Sequence, residues 1–234
     1  MSPKVAPSRP LPRIYLATPV VVDPSPVAAR LAALLAAADV AAVLLRLSPS
    51  DPRALISRIK ALAPVIQAGG AALLLEGHAD LVARSGADGA HLTGIAALQE
   101  ALPTLKPDRI AGAGGLSTRH DSMIAGEAGA DYVLFGEPDK AGERPSSDAI
   151  ADRLAWWAEL FEPPCVGYAA SLDEARTFAA SGADFILAGD LVWNDPRGAE
   201  SALIDVAQAI RHGHGSQGDR AMPANAAGQG GDAG

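Results

Sequence analysis

A Gly-Ala-Asp triplet followed by a short apolar run occurs three times in this sequence, at residues 86–88, 129–131 and 182–184. A weaker copy, Ala-Ala-Asp, occupies residues 37–39. A glycine at the end of a helix adopts the left-handed conformation without a steric penalty, so each triplet marks a predicted helix end. The apolar runs that follow lack polar alternation, which is typical of strands buried on both faces of a sheet.

The spacing of the triplets indicates how many strands the chain forms. Successive copies begin at residues 37, 86, 129 and 182, and each interval accommodates about two strand-helix units. Four such double units give eight strands. The sequence therefore predicts an α/β protein built as a single (β/α)8 TIM barrel, and its 234 residues suffice for one such domain.

Composition divides the chain into three segments. Residues 1–12 are rich in proline and are expected to form a loose N-terminal arm. Residues 13–212 contain the predicted barrel, whose last helix should run from about Gly198 to His212. Residues 213–234 are rich in Gly and Ala without hydrophobic periodicity, and they are predicted to be a disordered tail.

Charge and hydropathy argue against several classes of partner. The net charge is −8 and no Lys/Arg cluster is present, which disfavours a nucleic-acid partner. The sequence has no apolar run of about 18 residues, so we expect no membrane span. The single cysteine, Cys165, excludes an internal disulfide and fits a reducing compartment. Since the N-terminal segment also lacks the apolar core of a secretory signal, a cytoplasmic location is expected.

Active sites of such barrels lie at the mouth where the strands end, so the residues directly after each predicted strand are the candidates. In chain order they are Thr18, Arg46, Glu76 with His78, His91 with Thr93, residues 112–115, residues 137–140, Tyr168, and Asp190 with Trp193. The residues expected to bind a ligand are Arg46, Thr18, Gly114, Gly115, Tyr168 and Lys140. The candidates for catalysis are Glu76, His91 and Asp190.

Several stretches together resemble the thiamin phosphate synthase and thiazole tautomerase family. They are IYLAT from Ile14, LLR ending at Arg46, ADLVARSGADGAHL at residues 79–92, AGADYVLFG from Ala128 and SGADFI from Ser181. The family's synthases join an aminopyrimidine diphosphate to a thiazole phosphate, with Mg²⁺ on the departing pyrophosphate. The resemblance covers residues 13–210 and implies a barrel of vitamin B1 metabolism that binds a small phosphorylated ligand.

The residues that the resemblance implies for phosphate and metal are mostly different here. The family's arginine after the second strand corresponds to Arg46, but its lysine two positions further on corresponds to Ser48. The metal-binding aspartates correspond to Gly77 and to a position near Ala96. The resemblance therefore implies Mg²⁺ as the cofactor, while this sequence lacks the ligands for it. We expect no metal site formed by the protein and doubtful synthase activity.

Further departures follow the later strands. Gly115 and Ser117 stand near the family's Ser and His, residues 137–140 form a shortened loop, Ala169 and Ala170 replace a Gly-Gly turn, and Asp190 replaces a serine.

Three candidate groups allow a structural interpretation beside the functional one. Arg46 is suited to a phosphate ligand or to a salt bridge at the mouth. Glu76 and His91 are suited to a metal pair, or His91 makes a structural hydrogen bond. Residues 112–115 are suited to cradling an anion with their N–H groups, or to a tight turn between strand and helix.

The segment Ser171–Glu174 has the Ser-x-x-Glu pattern of a capping box. It caps the following helix and places Asp173 and Glu174 where an incoming phosphate would sit, with Asp190 across the gap. Like charges separated by about 4 Å repel by about 4 kcal/mol at an effective dielectric constant near 20. We therefore expect the usual phosphate site of this fold to be electrostatically closed.

Three functions remain open from the sequence. The first is a thiamin-phosphate-synthase-like protein. The second is a non-catalytic paralogue that binds a small ligand or a partner protein. The third is an enzyme with a different substrate, which uses the mouth carboxylates as acid and base. The oligomeric state is also open, and a homodimer is possible.

Overall fold

The computed structural model of the protein describes residues 9–220, and it describes side chains as far as Ser216. The strands are β1 (Arg13–Ala17), β2 (Val40–Leu45), β3 (Ala72–Glu76), β4 (Gly89–Thr93), β5 (Ile110–Gly114), β6 (Tyr132–Phe135), β7 (Cys165–Ala169) and β8 (Phe185–Ala188). The helices are α1 (Pro24–Ala37), α2 (Pro52–Ala68), α3 (Val82–Ser85), α4 (Ile95–Leu105), α5 (Arg119–Ala128), α6 (Ser147–Leu160), α7 (Leu172–Ala180), α8 (Asp190–Trp193) and α9 (Ala199–Arg220).

The strands form a closed parallel barrel in sequence order, because β8 pairs with β1. This arrangement confirms the predicted single (β/α)8 TIM barrel. The register places Glu76 of β3 beside His91 of β4, and Thr93 of β4 beside Gly114 of β5. Residues that end neighbouring strands therefore reach the same mouth of the barrel.

The glycines of the first two Gly-Ala-Asp triplets end helices as predicted. Gly86 follows α3 with φ 79°, and Gly129 follows α5 with φ 104°. In the third triplet Gly182 has φ 91°, one residue after the C-cap Ser181 of α7. All three glycines occupy the left-handed region, where a side chain is disfavoured.

The aspartate of each triplet joins two neighbouring strands at the N-terminal end of the barrel. Its carboxylate accepts a backbone N–H at the beginning of the preceding strand. The pairs are Asp88 with Leu73 (2.7 Å), Asp131 with Ala111 (2.7 Å), and Asp184 with Cys165 (2.8 Å). Because each pair connects an even-numbered strand to the odd-numbered strand before it, the triplet recurs at every second strand. In the weaker copy, the carboxylate of Asp39 instead accepts two hydrogen bonds from the guanidinium of Arg13, at 2.7 and 2.9 Å.

Two apolar layers hold the barrel together. The larger lies between the strands and the surrounding helices, and the smaller fills the barrel interior. Among the buried tyrosines of the interior, Tyr15 and Tyr132 have hydroxyls that are 2.9 Å apart. These two polar groups satisfy one another, since a buried hydroxyl without a partner is costly.

The last helix extends beyond its predicted end. We expected it to stop at His212, but α9 continues to Arg220. Gly213 explains part of this difference, because a Cβ at this position would overlap the carbonyl of Arg176 in α7. The glycine that suggested a tail instead permits close packing between two helices. Residues 221–234 of the predicted tail lie outside the described residues.

The end of the predicted N-terminal arm contacts the barrel. Arg9 donates hydrogen bonds to the carbonyls of Ala158 and Gly182, the latter at 2.8 Å. Pro12 is buried. The expectation of a loose arm is therefore wrong for residues 9–12, while residues 1–8 lie outside the described part. Among the helices of residues 9–220, none combines the length and the apolar character that a membrane crossing requires.

Candidate active site

A cavity of about 750 Å³ opens at the C-terminal mouth of the barrel. Of the nine residues predicted to bind a ligand or to act in catalysis, five line it: Arg46, Glu76, Gly115, Lys140 and Tyr168. Most of the remaining wall comes from residues 136–145, which connect β6 to α6. The structure thus brings together side chains that lie up to 122 positions apart in the sequence, from residue 46 to residue 168.

The other four predicted residues have different positions. Thr18 is buried, and its hydroxyl accepts the backbone N–H of Arg46 at 3.1 Å. Gly114 and His91 are buried behind the cavity wall. Asp190 is exposed as the first residue of the short helix α8. Thr18 therefore positions the strand that carries Arg46, and the expectation that it lines the ligand cavity is wrong.

Arg46 and Glu76 form an ion pair at the edge of the cavity. Nε of Arg46 lies 3.3 Å from Oε1 of Glu76, although its direction does not make a hydrogen bond. Burial alone would lower the pKa of Arg46, but Glu76, Tyr168 and Asp190 outweigh it, and the pKa lies above its usual value. Arg46 is therefore charged at the mouth. The salt-bridge interpretation is confirmed, and the phosphate interpretation stays a prediction.

His91 is held on both sides of its ring. Nε2 lies 3.0 Å from Oε1 of Glu137, and Nδ1 lies 3.0 Å from the hydroxyl of Tyr132. The side chain of His91 is 0% exposed. Because both ring nitrogens have partners and Glu76 faces Arg46, the geometry does not support the alternative of a Glu76–His91 metal pair. The structural hydrogen bond is the alternative that the geometry supports.

Glu137 is the residue that completes this arrangement. Its second oxygen, Oε2, accepts the N–H of Gly115 at 2.8 Å. Burial alone would raise the pKa of Glu137, but His91, the Gly115 N–H and Arg46 outweigh it and lower the pKa below its usual value. The carboxylate is therefore ionised at neutral pH. The sequence placed Glu137 among the mouth carboxylates, but its position after the GADYVLFG stretch gave no signal of its partners.

The glycines of β5 make room for these side chains. A Cβ at Gly112 would overlap the ring of Tyr132, and a Cβ at Gly114 would overlap Glu137 and His91. Gly115 has φ 62° and donates its N–H to Glu137. The prediction that this glycine-rich stretch cradles an anion is therefore wrong for Gly115. The N–H of Gly115 already donates to the protein's own carboxylate, that of Glu137.

Tyr132 extends the hydrogen-bonded chain into the barrel. Its hydroxyl contacts His91 Nδ1 on one side and the hydroxyl of Tyr15 on the other. Burial raises the pKa of both tyrosines well above the usual value. Both hydroxyls therefore keep their protons at neutral pH. The chain Glu137–His91–Tyr132–Tyr15 leads from the cavity to the barrel interior.

Arg144 fixes the loop between β6 and α6, and the sequence did not single it out. Its guanidinium donates to the carbonyl of Gly136 at 2.7 Å and to that of Tyr168 at 2.6 Å. It also lies 3.1 Å from Glu174 and 5.1 Å from the ring centre of Tyr168. Such planar multi-point contacts are characteristic of arginine, because the guanidinium presents several donors in a fixed geometry.

The pairing of Arg144 with Glu174 changes the electrostatics predicted for the phosphate site. Glu174 is neutralised by Arg144 and also accepts the N–H of Ala170 at 2.7 Å. Asp173 points away, since 89% of its side chain is exposed and it pairs with Arg176. The expectation that these two carboxylates close the site is therefore wrong. Ser171 accepts the N–H of Glu174 at 3.1 Å and caps α7 as predicted, but the capping box is incomplete, because the Glu174 carboxylate accepts the N–H of Ala170 and not that of Ser171.

The remaining aromatic and histidine candidates have structural roles. Trp193 donates its indole N–H to the carbonyl of Ala17 at 2.7 Å, which attaches α8 to β1. His78 precedes the 3₁₀ turn Ala79–Leu81. Within residues 9–220, no group of three or more His, Cys, Asp or Glu side chains is arranged to hold a metal ion. At the end of β3, where the family resemblance implies a metal-binding aspartate, Gly77 carries no carboxylate and Glu76 is paired with Arg46.

Comparison with known proteins agrees with the fold. The sequence model of the thiamine monophosphate synthase family matches residues 14–190. A thiamine-phosphate synthase of Rhodospirillum centenum is 38% identical over 207 residues, which cover 85% of this chain and 98% of that protein. A thiamine-phosphate synthase of Hyphomonas neptunium is 34% identical, with 83% and 92% covered.

Solved structures show the same fold at lower identity. Thiamine phosphate pyrophosphorylase from Pyrococcus furiosus superposes with a TM-score of 0.70 at 19% identity, covering 86% of this chain and 96% of that one. A 3-hexulose-6-phosphate synthase from Salmonella typhimurium gives a TM-score of 0.66 at 14% identity, with 85% and 99% covered.

Fold and cavity together define a TIM-barrel protein with a cavity at the C-terminal mouth, where the active sites of this fold lie. Within that class, the chain belongs to the thiamine monophosphate synthase family.

Proposed function

We propose that this protein acts in thiamine metabolism and binds a phosphorylated pyrimidine- or thiazole-type ligand in the mouth cavity. We further propose that it is a poor catalyst of pyrophosphate release. The family membership and the relatives that carry the name thiamine-phosphate synthase support the ligand class. The arrangement of charged groups in the mouth supports the proposal of weak catalysis.

The size and the charge of the cavity support a phosphorylated ligand. Its volume of about 750 Å³ falls within the range of roughly 300–1,000 Å³ that is usual for small-molecule sites. Four cationic side chains line it: Arg46, Lys140, Arg144 and Arg153. Guanidinium and ammonium groups form charge-assisted hydrogen bonds with phosphate oxygens, so these side chains supply donors for a phosphate group, although four carboxylates of the same lining balance their charge.

The missing carboxylate at the end of β3 is the observation that carries the proposal of weak synthase activity. Expulsion of pyrophosphate develops negative charge, which must meet cations or N–H donors already in place. Position 77 is a glycine, and Glu76 beside it is engaged by Arg46. The N–H of Gly115 is engaged by Glu137. Loss of one such donor commonly reduces the rate by about 10²–10³.

A second candidate function is an enzyme with a different substrate that uses acid-base chemistry. One observation favours it, because Glu137 lines the cavity as an ionised carboxylate and is supported by a buried histidine. A carboxylate in this setting is suited to accept a proton from a bound molecule.

The test is a pair of measurements on the same preparation of the full chain. Calorimetry with the thiazole phosphate measures binding, and a direct assay with the aminopyrimidine diphosphate, the thiazole phosphate and Mg²⁺ measures turnover. We expect binding with little or no turnover. Arg46→Ala should weaken binding at least about tenfold, because a charge-assisted hydrogen bond contributes about 1.5–3 kcal/mol.

Asp148→Ala, which changes the first turn of α6, is a control for general effects of substitution. Turnover near one per second would contradict the proposal of weak activity. Binding that is unchanged in Arg46→Ala would place the ligand elsewhere, and absence of binding would contradict the proposed ligand class. Growth of a thiamine-requiring strain that carries this chain as its only synthase would also contradict weak activity.

A further inference from the structure

We propose that the mouth cavity binds a dianionic group together with one proton, and that His91 holds this proton between Glu137 and Tyr132. This inference rests on the proposed function, since it describes how a phosphate group would be accommodated in the same cavity.

The hydrogens of the chain follow from the contacts of Glu137, whose Oε2 already accepts the N–H of Gly115 and whose Oε1 faces Nε2 of His91. A carboxylate without a proton only accepts hydrogen bonds, so Nε2 of His91 must carry the hydrogen that lies between them. A neutral imidazole then has a bare Nδ1, which accepts the hydroxyl proton of Tyr132 at 3.0 Å. The hydroxyl oxygen of Tyr132 in turn accepts from Tyr15 at 2.9 Å.

The same geometry accepts a second proton on His91. An added hydrogen on Nδ1 can be donated to the oxygen of Tyr132, because a hydroxyl both donates and accepts. The hydroxyl of Tyr132 then turns to donate to Tyr15, at the unchanged distance of 2.9 Å. The positive charge lies 3.0 Å from the carboxylate of Glu137. A buried ring that is 0% exposed can thus become charged without leaving an unpaired N–H.

A dianion in the cavity favours protonation of His91. The lining contains four cationic side chains and four carboxylates, the latter being Glu76, Glu137, Asp139 and Glu143. Because these charges balance, an incoming dianion adds two uncompensated negative charges beside Glu137. Protonation of His91 makes the His91–Glu137 pair neutral as a whole and removes the repulsion between Glu137 and the ligand.

Other ionisable groups near the ring come from neighbouring elements. Glu76 of β3 lies beside His91 in register, Arg46 of β2 pairs with Glu76, and Tyr132 of β6 and Tyr15 of β1 lie behind the ring. The neighbouring stretch of β5 carries only Gly and Ala. Glu76 is offset by Arg46, and both tyrosines stay neutral, which leaves His91 as the group able to respond.

The experiment uses sulfate, a dianion that does not titrate near neutral pH, so that any proton taken up belongs to the protein. Calorimetry in two buffers with different ionisation enthalpies, at about pH 7 and about pH 8, gives the number of protons bound per sulfate. We expect uptake that approaches one proton. The affinity should fall as the pH rises, by at most about tenfold per pH unit, which is the limit for a single linked proton.

Variants separate this mechanism from a structural role. Glu137→Gln should bind sulfate more tightly than the wild type at the higher pH, with uptake near zero, because no carboxylate then opposes the anion. Tyr132→Phe should reduce the uptake, since the N–H on Nδ1 loses its acceptor. Asp148→Asn is the control, because it removes an exposed carboxylate outside the cavity, and its uptake should equal that of the wild type.

Each result has a distinct meaning. Sulfate binding without proton uptake would overturn this inference and leave the proposed function intact. Uptake that persists in His91→Gln, or in Glu137→Gln if the former does not fold, would assign the proton to another group and also overturn it. Failure of sulfate and of the thiazole phosphate to bind at either pH would contradict both proposals.

Discussion

The carboxylate of Asp131 accepts the backbone N–H of Ala111 at 2.7 Å, and this bond joins the beginning of β6 to the beginning of β5. Equivalent bonds join β4 to β3 and β8 to β7. A carboxylate that receives a backbone N–H replaces a ladder bond where a strand begins. The repeat in the sequence is therefore a repeated contact between strands.

Asp131→Ala should destabilise the protein by about 1–3 kcal/mol, because the N–H of Ala111 loses its acceptor in a partly buried position. The free energy of unfolding in urea is the measurement. Asp131→Asn keeps an acceptor oxygen and should have a smaller effect. A loss in Asp131→Ala no larger than that of the exposed Asp148→Ala would contradict the assigned role.

Gly114→Ala should destabilise the protein by about 1–3 kcal/mol, since its Cβ would overlap Glu137 and His91 and displace one of them. Gly215→Ala in α9 is the control, because nothing lies within 4 Å of its Cβ and alanine favours a helix. The control should be neutral or up to about 1 kcal/mol more stable. Equal melting temperatures for the two variants would show that the space at Gly114 is not needed.

The stability should depend on the protonation of Glu137. Its pKa is lower in the folded protein than its usual value, so its ionised form stabilises the fold. This contribution is present above the unfolded pKa of about 4.3 and is lost as the pH falls through the folded pKa. The difference in unfolding free energy between the wild type and Glu137→Gln should therefore shrink from about pH 6 to about pH 3. A difference that stays constant over this range would contradict the lowered pKa.

Arg144→Lys should loosen the segment from residue 136 to residue 146. A lysine reaches one acceptor at a time, whereas the guanidinium contacts Gly136, Tyr168 and Glu174 together. We expect faster proteolytic cleavage of this loop and a loss of about 1.5–3 kcal/mol in stability. Arg176→Lys, at an exposed ion pair with Asp173, should change stability by less than about 0.5 kcal/mol. Cleavage at the same rate in both variants would exclude Arg144 as the anchor of the loop.

The regular elements followed closely from local sequence. The eight predicted strands all form, and Gly86 and Gly129 follow helices as predicted. Hydrophobic periodicity and helix-ending glycines are local signals, and they report which faces are buried. Gly213 is a case in which the local signal misleads. Glycine often ends a helix, but here it lies within α9 and permits close contact with α7.

The site was only partly predictable. Arg46, Glu76 and Tyr168 were expected at the mouth because each follows a strand. Arg144 was missed because it lies within a polar loop, and its partners are set by how that loop folds back. No pattern in one sequence reports the direction of a side chain in such a loop.

The sequence by itself determined the barrel, since four copies of one local unit leave a closed sheet of eight strands as the arrangement that buries every apolar strand. Tertiary structure alone decided the partners at the mouth. Glu137 and His91 are 46 residues apart and meet at 3.0 Å because Gly114 of β5 leaves space between β4, which carries His91, and the loop after β6, which carries Glu137. The pattern of buried positions follows from residues that are close in the sequence. A hydrogen bond between distant residues such as Glu137 and His91 depends on distances that only the closed barrel sets.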